Sequence, residues 1–329
     1  MFGDDCTGCG RCQAVCPTGA LAVDGFATLQ RPLRAGAGAL TIDCWQVPAT
    51  LADRGEIRVP CLGGLSTGRL LALCASADAR PVVLLDRGAC GPCASGGADH
   101  PARATLQRVV SLMTQAGVPE PRWPRLEPLP LPMRGRFVRR PLVDPMLAQG
   151  KSRRGFLTAL ARTADSTPPP DEGPAQIQPS TERQQMIDAL QILVARHGGH
   201  MPSTLFHRLD VGAACCGHRV CASACPTGAL LRYRDDGASR MGIAFDNASC
   251  IGCGHCATVC PEQALQLRSG GGDVDQGRGP LTAFIQRECA DCGSRFALKD
   301  DEEETRCGRC RKSAQLARSA FQTLFGARP

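Results

Sequence analysis

The sequence predicts a multidomain α+β protein in which metal–thiolate bonds replace part of the usual apolar core. Three observations predict it. The chain has 329 residues, too many for one ordinary core, so two to four small domains are expected. It carries 21 cysteines but only 4% aromatic residues, so thiolates rather than large rings must hold several segments. Between residues 40 and 117, short apolar runs ending in cysteine alternate with stretches of helical periodicity, the pattern of a small parallel sheet.

The first twenty residues hold no apolar run behind a basic start, so no secretory signal is expected. No stretch approaches a membrane-spanning apolar run, so no transmembrane segment is expected either. Cysteines spaced C-x2-C in such a chain read as metal ligands rather than disulfides, and the expected compartment is cytoplasmic.

Cys6, Cys9, Cys12 and Cys16 open the chain within CTGCGRCQAVCP at 6–17, in an expected first domain of residues 1–30. The same C-x2-C-x2-C-x3-C-P pattern recurs as CIGCGHCATVCP at 250–261, carrying Cys250, Cys253, Cys256 and Cys260. Two-residue steps let a tight loop wrap three thiolates around one 4Fe-4S cubane, while the fourth cysteine lies beyond the loop. Gly8, Gly10, Gly252 and Gly254 let the backbone approach the cluster. A degenerate copy, CCGHRVCASACPTGAL at 215–230, puts Cys215, His218, Cys221 and Cys225 in strict register. Its second position is therefore a histidine. Cys216 is the favoured replacement ligand; ligation by His218 or a 3Fe-4S cluster are the alternatives, and histidine would raise the reduction potential. Cys225–Leu230 repeats Cys16–Leu21 residue for residue.

Over residues 205–268 the chain resembles the bacterial two-cluster 4Fe-4S ferredoxins. The resemblance implies a ferredoxin-like α+β domain with crossed ligation. One cluster would use Cys250, Cys253, Cys256 and Cys225, and the other Cys215, Cys221, Cys260 and a remaining ligand from Cys216 or His218. The first motif has no second C-x2-C-x2-C before the linker. Its cluster needs a fourth ligand from Cys16, from a distant cysteine or from another chain. Only five residues precede Cys6, where a ferredoxin half has a strand, which leaves room for an upstream half.

Residues 40–123 form an expected small α/β domain. LTIDC, EIRVPC and PVVLLDRGAC read as strands leading to Cys44, Cys61 and Cys90; Leu65–Ala75 and Pro101–Gly117 read as helices. Parallel strands bring their carboxyl ends to one edge, where Cys44, Cys61, Cys90 and Cys93 can converge; Cys74, mid-helix, reads as a core residue. VPCLGGLS at 59–66, DRGACGPCASG at 86–96 and QAGVPEPRWPRL at 115–126 resemble the iron–sulfur delta subunit of methyl-viologen-reducing hydrogenases, also found fused to heterodisulfide reductase proteins. That resemblance implies a 2Fe-2S cluster on these four cysteines, relaying electrons between catalytic subunits. The chain departs from it at Cys44-Trp45, where the family has a cysteine pair.

Residues 124–180 read as a proline- and arginine-rich linker. Residues 121–162 carry ten Arg and Lys against two acids, while the whole chain has a net charge of +7, so its basic character comes from this stretch. A solvated linker is the plainer interpretation; a strap on an acidic partner or membrane surface is the other. Without interleaved aromatics, nucleic acid is not expected. Ser152–Leu157 resembles a twin-arginine export signature, but Arg162 and Asp165 interrupt its apolar core. Thr181 and Gln184 fit a capping box at the start of a helix over 181–199. In the tail, Cys289-x2-Cys292 and Cys307-x2-Cys310 read as a zinc-ribbon-like module over 285–312, holding zinc or a rubredoxin-like iron. A terminal helix is expected over 313–329.

No G-x-G-x-x-G and no nucleophile–base pattern is present, so catalysis is expected to reside in a partner oxidoreductase subunit. The expected function is an iron–sulfur electron-transfer relay in a larger complex of the hydrogenase, formate dehydrogenase or heterodisulfide-reductase-like kind. The alternative is an iron–sulfur assembly or redox-sensing adaptor for a metalloenzyme.

Overall fold

The computed structural model describes residues 6–26, 38–48, 57–131, 181–235, 237–272, 278–300 and 303–326. They divide into two compact units, Met1–Pro202 and Ser203–Pro329. Most of the expected linker, including the twin-arginine-like segment, lies outside the described residues.

Unit one opens with the first cysteine loop, followed by the short helix α1 (Arg11–Val15). Then come β1 (Leu40–Cys44), β2 (Ile57–Val59), α2 (Thr67–Ser76), β3 (Val82–Asp86), α3 (Arg103–Gln115) and β4 (Arg125–Pro128). The strands form one parallel sheet in the order β2-β1-β3-β4, with Ile42 opposite Ile57, Leu40 opposite Val82 and Val83 opposite Arg125. Ile42, Val82, Val83 and Leu84 are all buried. Both faces of a parallel sheet are covered, which is why these strands read as unbroken apolar runs. Ser66 caps α2 by accepting the Arg69 N–H at 3.3 Å.

The sheet does not stop at residue 123, before the linker expected from residue 124. Arg125–Pro128 adds β4 as an edge strand. An edge strand tolerates proline because one flank makes no ladder bond, so the proline spacing misled.

Helix α4 (Thr181–His197) is part of the same unit. Met186, Ile187, Leu190 and Leu193 are buried. Glu182 accepts the Ser66 hydroxyl and, at 2.7 Å, the Gly68 N–H, which sets a carboxylate on the positive end of α2. Arg196 donates to the Ala75 carbonyl at 3.0 Å, at the other end, so α4 runs parallel to α2. Gln184, expected in a capping box with Thr181, donates its amide N–H to Asp188 at 2.6 Å, one turn on.

Unit two begins with β5 (His207–Val211), α5 (Val220–Ser223), β6 (Leu230–Asp235), β7 (Arg240–Phe245), α6 (His255–Thr258) and β8 (Leu265–Gly271). β5 and β8 pair antiparallel, and β6 and β7 form a hairpin. Leu209, Cys221, Leu230, Ile243 and Leu265 make the core between them. The tail is not a separate module. β9 (Gly279–Glu288) pairs with β7, and β10 (Arg295–Leu298) pairs with β9, so one antiparallel sheet β10-β9-β7-β6 joins the two expected domains. The terminal helix α7 (Gly308–Phe325) starts inside the second cysteine knuckle rather than after it. Among the described residues, no helix is long and apolar enough to cross a membrane.

Candidate metal centres

In unit two the cysteine loops are built alike. The residue before the short helix is left-handed in each: Arg219 at φ +59° before α5 and Gly254 at φ +71° before α6. Gly10 holds the same place before α1 at φ +77°. Two apolar pockets lie between the loops. Cys225, Cys250, Cys253 and Cys256 line one, with Thr227, Leu230 and Phe245. Cys215, Cys216, Cys221 and Cys260 line the other, with His218, Glu262 and Leu265. The fourth cysteine of each loop thus stands in the pocket of the other. Burial pushes the Cys221 and Cys256 thiols up, with neighbouring cysteines adding to the rise. A cluster's positive iron would offset that cost, and the Ala264 N–H already points at Cys260 Sγ at 3.4 Å.

The doubtful fourth position brings both candidates together. Cys216 Sγ lies 3.3 and 3.4 Å from the two ring nitrogens of His218, and both approach Glu262. Burial, then the Glu262 carboxylate, pushes the Cys216 thiol up.

In unit one the carboxyl ends of the parallel strands deliver Cys44, Cys61, Cys90 and Cys93 to one pocket, together with Arg87 and His100. Burial pushes Cys44 up to about 12 and Cys90 up to about 11, with the other pocket thiols contributing. Amides point at the sulfurs here too: Gln46 N–H at Cys44 and Gly63 N–H at Cys61, both 3.4 Å. The residues suit a thiolate-bound cluster on a further observation. His100 Nδ1 accepts the Ala102 N–H at 3.2 Å, which leaves the proton on Nε2, and Nε2 is buried without a hydrogen-bond partner among the described residues. A cluster sulfur is an acceptor for such a donor. Beneath the pocket, Arg87 is clamped on the fully buried Asp43, whose Oδ1 also takes the Cys44 N–H at 2.8 Å. Cys74 is buried within α2, away from this pocket, and burial pushes its thiol up to about 12.

The first loop docks on this domain. Phe26 is buried against Gly10 and Gly64, where neither glycine has room for a side chain, and Ser95 donates to Thr7 at 2.7 Å. The charge of Cys9 reaches Cys61, so the first loop and the four-cysteine pocket are electrostatic neighbours. Cys6 and Cys12 are exposed, and Cys9 and Cys16 are partly so. The Thr18 hydroxyl, 3.6 Å away, is the main cause that lowers the Cys16 thiol.

The tail cysteines differ in scale. The four ligand atoms of Cys289, Cys292, Cys307 and Cys310 all lie within 4.8 Å of one another, and Cys292 Sγ is 3.8 Å from Cys307 Sγ. Thiolates about 2.3 Å from one tetrahedral ion sit roughly 3.8 Å apart, so this quartet fits a single ion. The Cys307 N–H, 3.2 Å away, is the main cause pulling Cys289 down to about 6, while the Cys307 and Cys292 thiols push Cys310 up to about 12.

Sequence reasoning named every cysteine of these sites but missed His100, Arg87 and Asp43. Arg87 lies within DRGACGPCASG and Asp43 within LTIDC, but neither is a cysteine-type ligand, and only the sheet brings them and His100 to the pocket.

A family model of a 4Fe-4S binding domain matches residues 3–22, and another matches residues 243–265. No curated protein matches the chain. The chain thus carries 4Fe-4S binding domains of ferredoxin type at two places, which supports an iron–sulfur electron-transfer role.

Proposed function

We propose that the chain is a multi-cluster electron relay, a subunit of a larger oxidoreductase that holds the catalytic site. Cubanes sit on Cys225, Cys250, Cys253 and Cys256, on Cys215, Cys221, Cys260 and Cys216 (with His218 as the rival), and on the first loop. A 2Fe-2S cluster sits on Cys44, Cys61, Cys90 and Cys93, and zinc on the tail quartet, which is structural. The observation that carries this reading is the pairing of sites within each unit. In unit one the Cys9 carbonyl packs against Gly64, three residues past Cys61, and in unit two Cys221, Cys225, Cys256 and Cys260 pack around one core. Clusters held at sites that adjoin in this way can exchange electrons. The resemblance of residues 59–66, 86–96 and 115–126 to the hydrogenase delta subunit supports a hydrogenase, formate dehydrogenase or heterodisulfide-reductase-like complex. Stepwise reduction followed by electron paramagnetic resonance tests the relay. Spin–spin splitting between reduced clusters is expected; isolated, non-interacting signals would count against it.

A further inference from the structure

We propose that the first cysteine loop is half of a two-cluster fold that a second copy of this chain completes. Each copy gives its Cys16 to the cubane on the other copy's Cys6, Cys9 and Cys12. The inference rests on the first loop holding a cubane, as proposed above.

The chain contains its own control. Cys16-Pro17-Thr18-Gly19-Ala20-Leu21 and Cys225-Pro226-Thr227-Gly228-Ala229-Leu230 are the same six residues. They also adopt the same local structure. Gly19 and Gly228 both stand at φ +67°. Their N–H groups donate to the cysteine carbonyl at 3.4 and 3.3 Å, and the thiol-to-threonine distances are 3.6 and 3.8 Å. Only the cover differs. Thr227 through Leu230 are buried, whereas Thr18 through Leu21 are exposed. Leu230 is 2% exposed and Leu21 38%. In unit two the cover is the other cysteine loop together with the strands that frame it, because Leu230 shares one core with Leu209, Ile243 and Leu265, against which Cys225, Cys256 and Cys260 pack. The first loop therefore has the shape of a mated half and lacks its mate among the described residues.

The ligand count names the mate. In this conformation the fourth cysteine leaves its own loop, as Cys225 does in lining the pocket of Cys250, Cys253 and Cys256. Cys16 is then a surplus ligand, and Cys6, Cys9 and Cys12 are one short. Cys61 lies near Cys9 but lines the pocket of Cys44, Cys90 and Cys93. The sequence has two C-x2-C-x2-C triplets, 6–12 and 250–256, and the second already faces Cys225. A two-fold pairing of first loops fills both deficits at once, because an isologous contact is reciprocal. Leu21 and the exposed Val15 would lie in that contact.

The test is the mass of the full chain, purified without oxygen, by native mass spectrometry and light scattering beside iron analysis. The cluster-loaded protein is expected at twice the 34.7 kDa chain mass, and at the single mass once iron is stripped. Cys16→Ser should give a monomer lacking one cubane of iron while unit two keeps its signals. Leu21→Glu changes no ligand and an exposed position, so it should fold and also run as a monomer. A monomeric wild type with the first cubane intact, or a Cys16→Ser protein that keeps both dimer and cubane, would overturn the proposal and leave the relay standing. A first loop that takes up no iron would instead remove the reading beneath it.

Discussion

Asp43→Asn should unseat the four-cysteine pocket of unit one. The carboxylate is fully buried, holds Arg87 through contacts of 2.6 and 3.2 Å to one oxygen, and accepts the Cys44 N–H through the other. Asparagine keeps the shape but removes the carboxylate charge that faces the guanidinium, itself only 9% exposed. Breaking a buried pair in this way costs about 3–5 kcal/mol, more than an ordinary surface change by several fold. At about 2–4 °C per kcal/mol, the melting temperature of unit one should fall by roughly 6–20 °C. Because the same carboxylate fixes the end of β1, Cys44 should lose its position and the pocket its metal. Calorimetry and iron analysis of the variant read both effects. The double variant Asp43→Leu with Arg87→Met, which removes both charges, should recover much of the stability. Melting within about 2 °C of wild type for Asp43→Asn, with iron unchanged, would refute the reasoning.

Alanine at Gly64 would drive a methyl into the Phe26 ring and the Cys9 carbonyl. Such overpacking costs about 1–3 kcal/mol, so amide exchange across the first loop should accelerate, and unchanged exchange would contradict the docking. Arg219 holds a left-handed backbone that the equivalent residues meet with glycine. Arg219→Gly should relieve about 1 kcal/mol of strain and raise the melting temperature of unit two; a fall would show that the side chain holds more than it costs. In the metal-free tail, Cys289 is a thiolate above about pH 6, while Cys310, near 12, is protonated at neutrality. Zinc uptake at pH 7 should therefore release protons. Affinity should weaken as pH falls and steepen below about 6, where Cys289 takes a proton too. A competition titration that finds pH-independent affinity would contradict this.

Much of the candidate chemistry was legible because cluster ligation is local: C-x2-C spacing is set by the geometry of one loop. The strands LTIDC and PVVLLD were legible for a similar reason, as unbroken apolar runs between breakers. What was not legible depends on distant partners. Glu182 meets Ser66 across 116 residues, and nothing in the periodicity of α4 says that its first-turn acid serves another helix. Phe26 and Gly64 are ordinary residues until the first loop docks and the ring packs against both Gly10 and Gly64. The proline pattern at 124–130 concealed β4, since an edge position removes the penalty that proline carries inside a sheet. The tail looked separate because two cysteine knuckles form a closed unit in sequence, yet β9 pairs with β7 and makes it continuous with the cluster domain.

Iron, acid-labile sulfide and zinc per chain, measured on protein purified without oxygen, test the central claim most directly. Three cubanes, one 2Fe-2S site and a ribbon give about fourteen irons, near-equal sulfide and one zinc. About eight irons would confine the clusters to unit two and leave unit one a docking domain. Iron near zero after reconstitution would contradict the relay altogether.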